Sequence, residues 1–352
     1  MNLISWVCKW FNFAVILATL VAYVVPFYHP RDSWYFYYVG LFFPILFWLN
    51  VLFVLYWWKM KNRFALFSLI TLCLGFTHVK SQLGFHFFAT PQPKSISIMT
   101  FNVGGLPKTF PQSSKRAQGF SEVSTFLKNE KPDILCLQET AYCSYIYDSN
   151  PTTNISALNQ LPYRAYSNSK EVGIFSRYPI THFEAIDIGY SYNTCCFADI
   201  NVNGKILRVY NLHLQSNKIT EQSANLIKNG DYVEKESIKK GKNILRLVRR
   251  SAFLRADQAE KIKKHSLHSP YPTIICGDFN DTPQSYCYQT LASGLDDTFK
   301  VAGCGFGTTF AGSIPLLHID HILVSPKLRI DQCRIINSDF SDHYAVQSYF
   351  SF

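Results

Sequence analysis

Thr273 to Cys276 form an apolar or small, uncharged run that reaches Gly277 and then meets Asp278 and, two residues on, Asn280. β-Branched residues in an unbroken run ending at glycine read as a buried strand. Side chains alternate faces along a strand, so Asp278 and Asn280 at its carboxyl end point to one side, as a base and a hydrogen-bond donor serving one centre must. A strand followed by an ordinary Asp/Asn turn looks the same. Repetition argues for more. Asp133–Glu139 is again an apolar strand ending in a carboxylate, and Ser95–Asn102 alternates polar and apolar residues to deliver Asn102 ahead of Gly104-Gly105. Cys196–Val202 and Lys205–Leu214 flank Asn203-Gly204, a pair suited to the positive φ of a tight hairpin, and the second strand brings Asn211 and His213 to one side. Gly173–Ile180 reads as a strand running into a turn at Pro179, and Ile319–Ser325 as a strand with Asp320 at its start. Phe340-Ser-Asp-His343 then precedes a last alternating strand, Tyr344–Phe350. Helical patterns over Ser114–Asn129 and about Thr220–His265 lie between these runs.

The first 90 or so residues are of another kind. Trp10–Tyr28 and Trp34–Trp58 contain no Lys, Arg, Asp or Glu, and at about 1.5 Å per residue each is long enough for roughly 30 Å of hydrocarbon. Aromatic rings crowd their ends, as at a headgroup level. Phe64–Val79 falls just short of the usual minimum of roughly 17 residues and is expected as a third span, an interfacial helix being its alternative. A cleaved signal peptide is disfavoured, because no small-x-small site follows the first run and another span comes directly after it. The expected organisation is therefore an anchor over 1–90, a linker over 91–94 marked by Pro91 and Pro93, and a globular domain over 95–352. Lys59, Lys61 and Arg63 against a lone Arg31 beside Asp32 make the loop between the second and third runs cytoplasmic. Three spans then put the domain outside the cytoplasm and two keep it inside. The expected location is the plasma (inner) membrane with the domain on the non-cytoplasmic side.

Charge and cysteines narrow the partners less. The net charge is +10, and 13 Lys or Arg against 6 Asp or Glu fall between Gln215 and Ser269. A solvated helix face explains that surplus, as does a surface that meets anionic lipid headgroups or a polyanionic substrate. Without Cys-x-x-Cys or Cys/His spacing, a structural zinc site is rejected. Cys143, Cys195, Cys196, Cys287, Cys304 and Cys333 are available for disulfides in an oxidising compartment, with no pairing legible.

Thr100-Phe-Asn102, Asp133–Glu139, Asn211-Leu-His213, Gly277-Asp-Phe-Asn280, Ile319-Asp320 and Ser341-Asp-His343, in this order, resemble the endonuclease/exonuclease/phosphatase superfamily over about residues 95–352. The resemblance implies a four-layered α/β sandwich, two packed sheets flanked by helices, here preceded by two or three transmembrane helices. It implies that Asn102 and Glu139 hold a divalent cation, Mg²⁺ or Mn²⁺ in its place, with Asp342 near enough to join them. Asp278 would orient or deprotonate the attacking water, and Asn280 and His213 would bind phosphate oxygens. His343, held by Asp320, would stabilise the transition state or protonate the leaving group. One departure is His318, where many relatives carry Arg before Ile-Asp. The function expected is a membrane-anchored phosphoesterase, nuclease-like before lipid-directed, with a non-catalytic scaffold as the rival from another class. Its expected partners are the lipid bilayer, through the N-terminal helices, and a phosphoester, either nucleic acid or a lipid headgroup.

Overall fold

The structure is a computed structural model, and it describes residues 3–104, 113–140, 160–189, 194–217, 234–312, 316–339 and 341–352. Strands β2 (Ile96–Asn102), β3 (Ile134–Gln138), β4 (Tyr163–Tyr166), β5 (Val172–Ser176), β13 (Arg329–Ile336) and β14 (Ala345–Ser351) form one six-stranded sheet in the order β13-β14-β2-β3-β5-β4. The other contains β6 (Ile180–Ile186), β7 (Cys195–Val202), β8 (Lys205–His213), β9 (Thr273–Asp278), β10 (Asp296–Asp297) and β12 (Asp320–Val324), ordered β10-β12-β9-β8-β7-β6. In each sheet one pair is parallel, β2 with β3 and β8 with β9. The expected hairpin is present, with Asn203 at φ +51° and Gly204 at φ +91° turning β7 into β8.

Residue parity along the strands builds the layers. Ile98, Cys136, Ile174, Ala198, Val209, Ile274, Ile322 and Val346 face inward and pack the two sheets together. Their odd-numbered neighbours on β2 and β3, Met99, Phe101, Leu135 and Leu137, face outward onto helix α6 (Ser113–Glu130) through Val123 and Leu127. On the other sheet Phe197, Tyr210, Leu212 and Ile275 face outward onto α7 (Glu234–Leu267) and α8 (Tyr286–Ala292). Helix, sheet, sheet, helix is the four-layered α/β sandwich expected. Thr220 to Val233 of the long helical pattern lies outside the described residues, as does Cys143. The other nine cysteines are free thiols, so no disulfide is formed among the described residues.

The N-terminal unit departs from its hydropathy reading. Helix α1 (Leu3–Val24) with its 3-10 turn to Phe27 is, among the described residues, the one helix long and apolar enough to cross a membrane unaided. The second run is divided into α2 (Trp34–Leu41) and α3 (Phe43–Lys59), bent by 54°. Pro44 stands in the first turn of α3, where it has no N–H to offer and its ring crowds the preceding turn. The third run divides at Gly75 into α4 (Ala65–Leu74) and α5 (Phe76–Val79), and ten residues cover only about 15 Å. In place of two or three full spans there is one unbroken helix, a bent pair and a short helix. Hydropathy weighs apolar residues and not the proline and glycine that interrupt them.

These helices run up, down and up. Lys9 lies over the Phe64 ring, Asn12 reaches Ser68 and Trp57, Thr19 meets Asn50, and Tyr23 packs on Phe43, so α1 is antiparallel to α3 and parallel to α4. Their polarity is reversed relative to a water-soluble bundle. Asn12, Thr19, Asn50, Ser68 and Thr71 are buried and hydrogen-bonded, whereas Trp10, Phe13, Leu17, Leu52, Leu55, Phe67 and Ile70 are exposed. Among the described residues the unit meets the sandwich at one end, where β1 (Leu83–Phe85) pairs with β11 (Cys304–Phe306) and Trp48 touches Phe306.

Candidate active site

At one edge of the inter-sheet layer the inward positions cease to be apolar. Asn102 ends β2, Gln138 ends β3, Asn211 and His213 end β8, Asp278 ends β9, and Asp320 opens β12 directly opposite Asp278. The two-residue period that packs the core thus also gathers these polar groups. Gln138 Nε2 donates to Asn211 Oδ1 at 2.6 Å, and Asn211 Nδ2 donates to the carbonyls of Leu137 and Gly173, tying the sheets together behind the site. Asn211 is therefore a brace, and the neighbouring His213 faces the chemistry.

Asp278 is the hub. Its Oδ2 accepts from Asn102 Nδ2 at 2.9 Å and from Asn280 Nδ2 at 3.0 Å, and its Oδ1 accepts from the Asn280 backbone N–H at 2.8 Å. The second Asn280 side-chain N–H goes to the Leu214 carbonyl at 3.0 Å, so that amide is spent on holding Asp278 and the β8 loop. The Nε2 atoms of His213 and His343 stand 3.7 and 3.8 Å from Asp278 Oδ2. Glu139 Oε1 is 3.3 Å from Asn102 Nδ2 and 3.9 Å from His213 Nε2. Glu139 holds φ +57°, a left-handed backbone that glutamate seldom adopts and that gathers at functional positions.

Each histidine is held from behind by a carboxylate. His343 Nδ1 is 3.0 and 3.2 Å from the oxygens of Asp320, whose backbone N–H is fixed by Thr309 Oγ1. His213 Nδ1 is 2.9 Å from Glu171, and its buried Nε2 has no hydrogen-bond partner among the described residues. Burial works against the His343 cation, but the charges of Asp320 and Asp278 outweigh it and raise its pKa to about 10. His213 is raised as well: burial opposes, and the Glu171 hydrogen bond with the charges of Asp278 and Glu139 prevails. Asp278 is pushed up, first by burial and further by Asp320, while His343, His213 and Asn102 pull the other way.

Of the expected ion ligands, Asn102 and Glu139 border Asp278, whereas Asp342 is exposed, beside Gly104. Among the described residues, Asp278, Asp320 and His343 form a group that could hold an ion, with ligand atoms all within 4.8 Å of one another. His318 is buried and its Nδ1 meets the Ser81 carbonyl at 3.1 Å, so this side chain faces the N-terminal unit. The sequence reading missed Glu171, Thr309, Arg255 and Asp281. Glu171 does carry a signal, an acid abutting the apolar run Val172–Ser176, and Arg255 recurs at helical spacing with Ala252, Ala256 and Ala259 on a buried stripe.

A two-sheet α/β sandwich with carboxylates and carboxylate-held imidazoles at one sheet edge is the frame of a phosphoester-hydrolysing enzyme. The chain belongs to the Endonuclease/Exonuclease/phosphatase family, whose model matches residues 99–343, and it is an enzyme of that hydrolytic class, in a family that uses divalent metals. A second model, a domain of unknown function (DUF8431), matches residues 5–82. No curated protein matches the chain. The fold is similar to that of D. rerio TDP2 complexed with single strand DNA product, at 17% identity and TM-score 0.50 over 74% of this chain and 100% of that one. It is similar to the human Nocturnin catalytic domain with bound sulfate anion, at 16% identity and TM-score 0.51 over 75% and 96%. A family protein from Bacteroides thetaiotaomicron is similar at 17% identity and TM-score 0.50 over 74% and 99%. At these identities the likeness shows the fold alone.

Proposed function

We propose that the chain is a membrane-anchored, Mg²⁺-dependent phosphoesterase that cleaves a phosphodiester at the bilayer surface by attack of water. The observation that carries the chemistry is the convergence of both histidine Nε2 atoms within 3.8 Å of one buried carboxylate oxygen, that of Asp278. Glu139, Asp278 and Asp320 are hard oxygen donors that suit Mg²⁺, or Mn²⁺ in its place, with the Asn102 amide alongside. So many carboxylates around two imidazoles would repel a phosphoester unless a cation offset them. When bound, that ion supplies positive charge against the phosphoryl oxygens and lowers the pKa of a bound water.

The chain's own groups then divide the work. Asp278, with its raised pKa, is suited to take a proton from water, and Asn280 orients it. The unpartnered His213 Nε2 donates to a phosphate oxygen. His343, protonated at neutral pH, either stabilises the charge of the transition state or protonates the leaving group.

Membrane residence is supported by the reversed polarity of the N-terminal unit, with apolar side chains out and hydrogen-bonded polar ones in, the arrangement lipid favours. The up-down-up course leaves Lys59, Lys61 and Arg63 at the end away from the sandwich. By the positive-inside rule the catalytic domain then lies outside the cytoplasm, at the plasma membrane. A lipid-borne substrate is favoured by two features. The basic helix α7 sets Arg249 over the Trp34 ring of α2. A cleft of about 450 Å³ is lined by Phe306, whose ring Trp48 touches, and by Ile335 and Tyr344 among others, Tyr344 being the residue that follows His343. A nucleic-acid substrate has support of its own in the net charge of +10 and in the likeness to D. rerio TDP2 complexed with single strand DNA product.

The test is a substrate panel on the purified full chain: phospholipid vesicles, single-stranded DNA and RNA, and nitrophenyl phosphoesters, with chelator and with Mg²⁺ or Mn²⁺ restored. Asp278→Ala and His343→Ala should each cut turnover by about 10² or more, the usual scale of general acid and base catalysis. Turnover that survives both changes, or is unaltered in chelator, would sink the proposal.

A further inference from the structure

Arg255 of α7 is fully buried and bridges the two loops that follow His213 and Asp278. Its Nη1 donates to the Gln215 carbonyl at 2.7 Å and to Asn217 Oδ1 at 3.0 Å, just beyond His213. Its Nε donates to Asp281 Oδ2 at 2.9 Å, three residues beyond Asp278. The fourth bond leaves the sandwich altogether: Nη2 donates at 2.6 Å to the hydroxyl of Tyr37, which in turn donates to Asp281 Oδ1 at 3.1 Å. Tyr37 belongs to α2 of the N-terminal unit and is itself buried. Its hydroxyl thus closes a ring of charge-assisted hydrogen bonds around the turn that presents the base.

The same turn is gripped further along. Helix α2 approaches so closely that a Cβ on Gly40 would run into the Gln284 carbonyl oxygen. Gln284 Nε2 donates to Ser81 Oγ at 3.2 Å, Gly307 N–H donates to the Gln82 carbonyl at 2.9 Å, and His318 Nδ1 meets the Ser81 carbonyl. Residues 278–284, which run from the catalytic carboxylate to the start of α8, are therefore walled on one side by chain that precedes the catalytic domain. A tether needs none of these contacts, since a flexible linker would hold a hydrolase at a surface equally well.

We infer that Tyr37 is a positioning residue for the catalytic base, so that the N-terminal helical unit completes the active site as well as carrying it. The inference deepens the phosphoesterase reading and rests on it. Loss of the Tyr37 hydroxyl leaves Asp281 and one Arg255 N–H short of a partner, and the turn from Asp278 to Asp281 gains freedom. Small misplacement of a base lowers turnover without weakening ground-state binding.

Tyr37→Phe in the full chain, held in detergent or nanodiscs, tests this with bis-nitrophenyl phosphate and Mg²⁺. The result expected is a fall in kcat of about tenfold with KM changed less than about twofold. Hydrogen exchange of the amides in 279–285 should rise while β2 and β3 stay protected. Combined with Asp281→Asn, Tyr37→Phe should add little, because the hydroxyl has lost its charged acceptor. Unchanged exchange in 279–285 overturns the inference, and so does raised exchange with wild-type kcat, which would make Tyr37 a structural contact only. If Tyr37→Phe fails to fold, Asp281→Asn takes its place, and the same two outcomes overturn the inference. A wild-type chain inactive on every phosphoester would appear before any substitution was made, and removes the underlying reading instead.

Discussion

Asp320→Asn asks what the proton on His343 is for. Asp320 lies 3.0 and 3.2 Å from His343 Nδ1 and, with Asp278, holds the imidazole at a pKa of about 10 against an ordinary 6.5. Near pH 7.5 a group titrating well above that pH is protonated in nearly every molecule, whereas at 6.5 it is protonated in about one in ten. Asparagine keeps an acceptor of the same shape and deletes the charge. Because Asp278 stays and keeps part of the rise, about tenfold is the ceiling on the loss of protonated His343 near pH 7.5. The sign is fixed: a lowered pKa empties the protonated form at lower pH, so the alkaline limb of kcat/KM moves down. Toward about pH 5.5 the variant regains wild-type protonation. Rates on two phosphodiesters, one with a nitrophenolate and one with an alkoxide leaving group, then separate the two roles of His343. A nitrophenolate departs unaided and an alkoxide needs a proton. Leaving-group protonation gives a loss of up to about tenfold on the alkoxide ester that fades as pH falls, with little loss on the nitrophenyl ester. Charge stabilisation gives equal losses on both, fading in the same way. A loss that is constant across pH would refute the assignment of the proton to His343.

Gly277 sits at φ +139°, where a Cβ would strike the Leu212 carbonyl, so Gly277→Ala should cost about 3 kcal/mol or more and shift Asp278, read as a lowered melting midpoint with lost turnover. Leu17→Lys, on the exposed face near the middle of α1, should cost about 3 kcal/mol of apparent insertion energy in a bilayer and almost nothing in water. Membrane fractionation of the variant distinguishes the two.

The site was legible because parity writes itself into sequence. Ile274, Cys276 and Asp278 share one face of β9, and a polar residue that follows an apolar alternation marks the place where that face leaves the core. The same rule found Asn102, His213 and Asp320. It gives a residue's side and not its partners: that both side-chain N–H groups of Asn280 go to Leu214 and Asp278 is visible only in the fold. Asp342, outside any strand, had no parity to place it. Edge strands such as β4, β6 and β13 were not read in full, because half-exposed residues at a sheet margin blur the alternation. Arg255 was lost inside a basic count, since charge tallies do not separate the residue that points inward from those that face solvent.

That count also separates the two substrate classes. Of the basic residues on α7, Arg255 is consumed by the catalytic loops and Arg249 lies over Trp34, whose ring also packs on Tyr38. Arg31, at the entry to α2, pairs with Asp257 of α7 and lies over the Phe253 ring. These residues stand where α7 meets the N-terminal unit, which is the headgroup level if that unit is in lipid. A basic residue free to meet an anionic leaflet there gains about 1 kcal/mol, so turnover of a lipid phosphoester in reconstituted vesicles should climb with the fraction of anionic lipid. A nucleic-acid substrate would instead bind by displacing counterions, and its affinity would fall as a steep power of salt concentration on vesicles of any composition. The full chain compared across lipid charge at fixed salt, and across salt at fixed lipid, gives one slope or the other. A steep salt slope with no response to lipid charge would refer the basic face to nucleic acid.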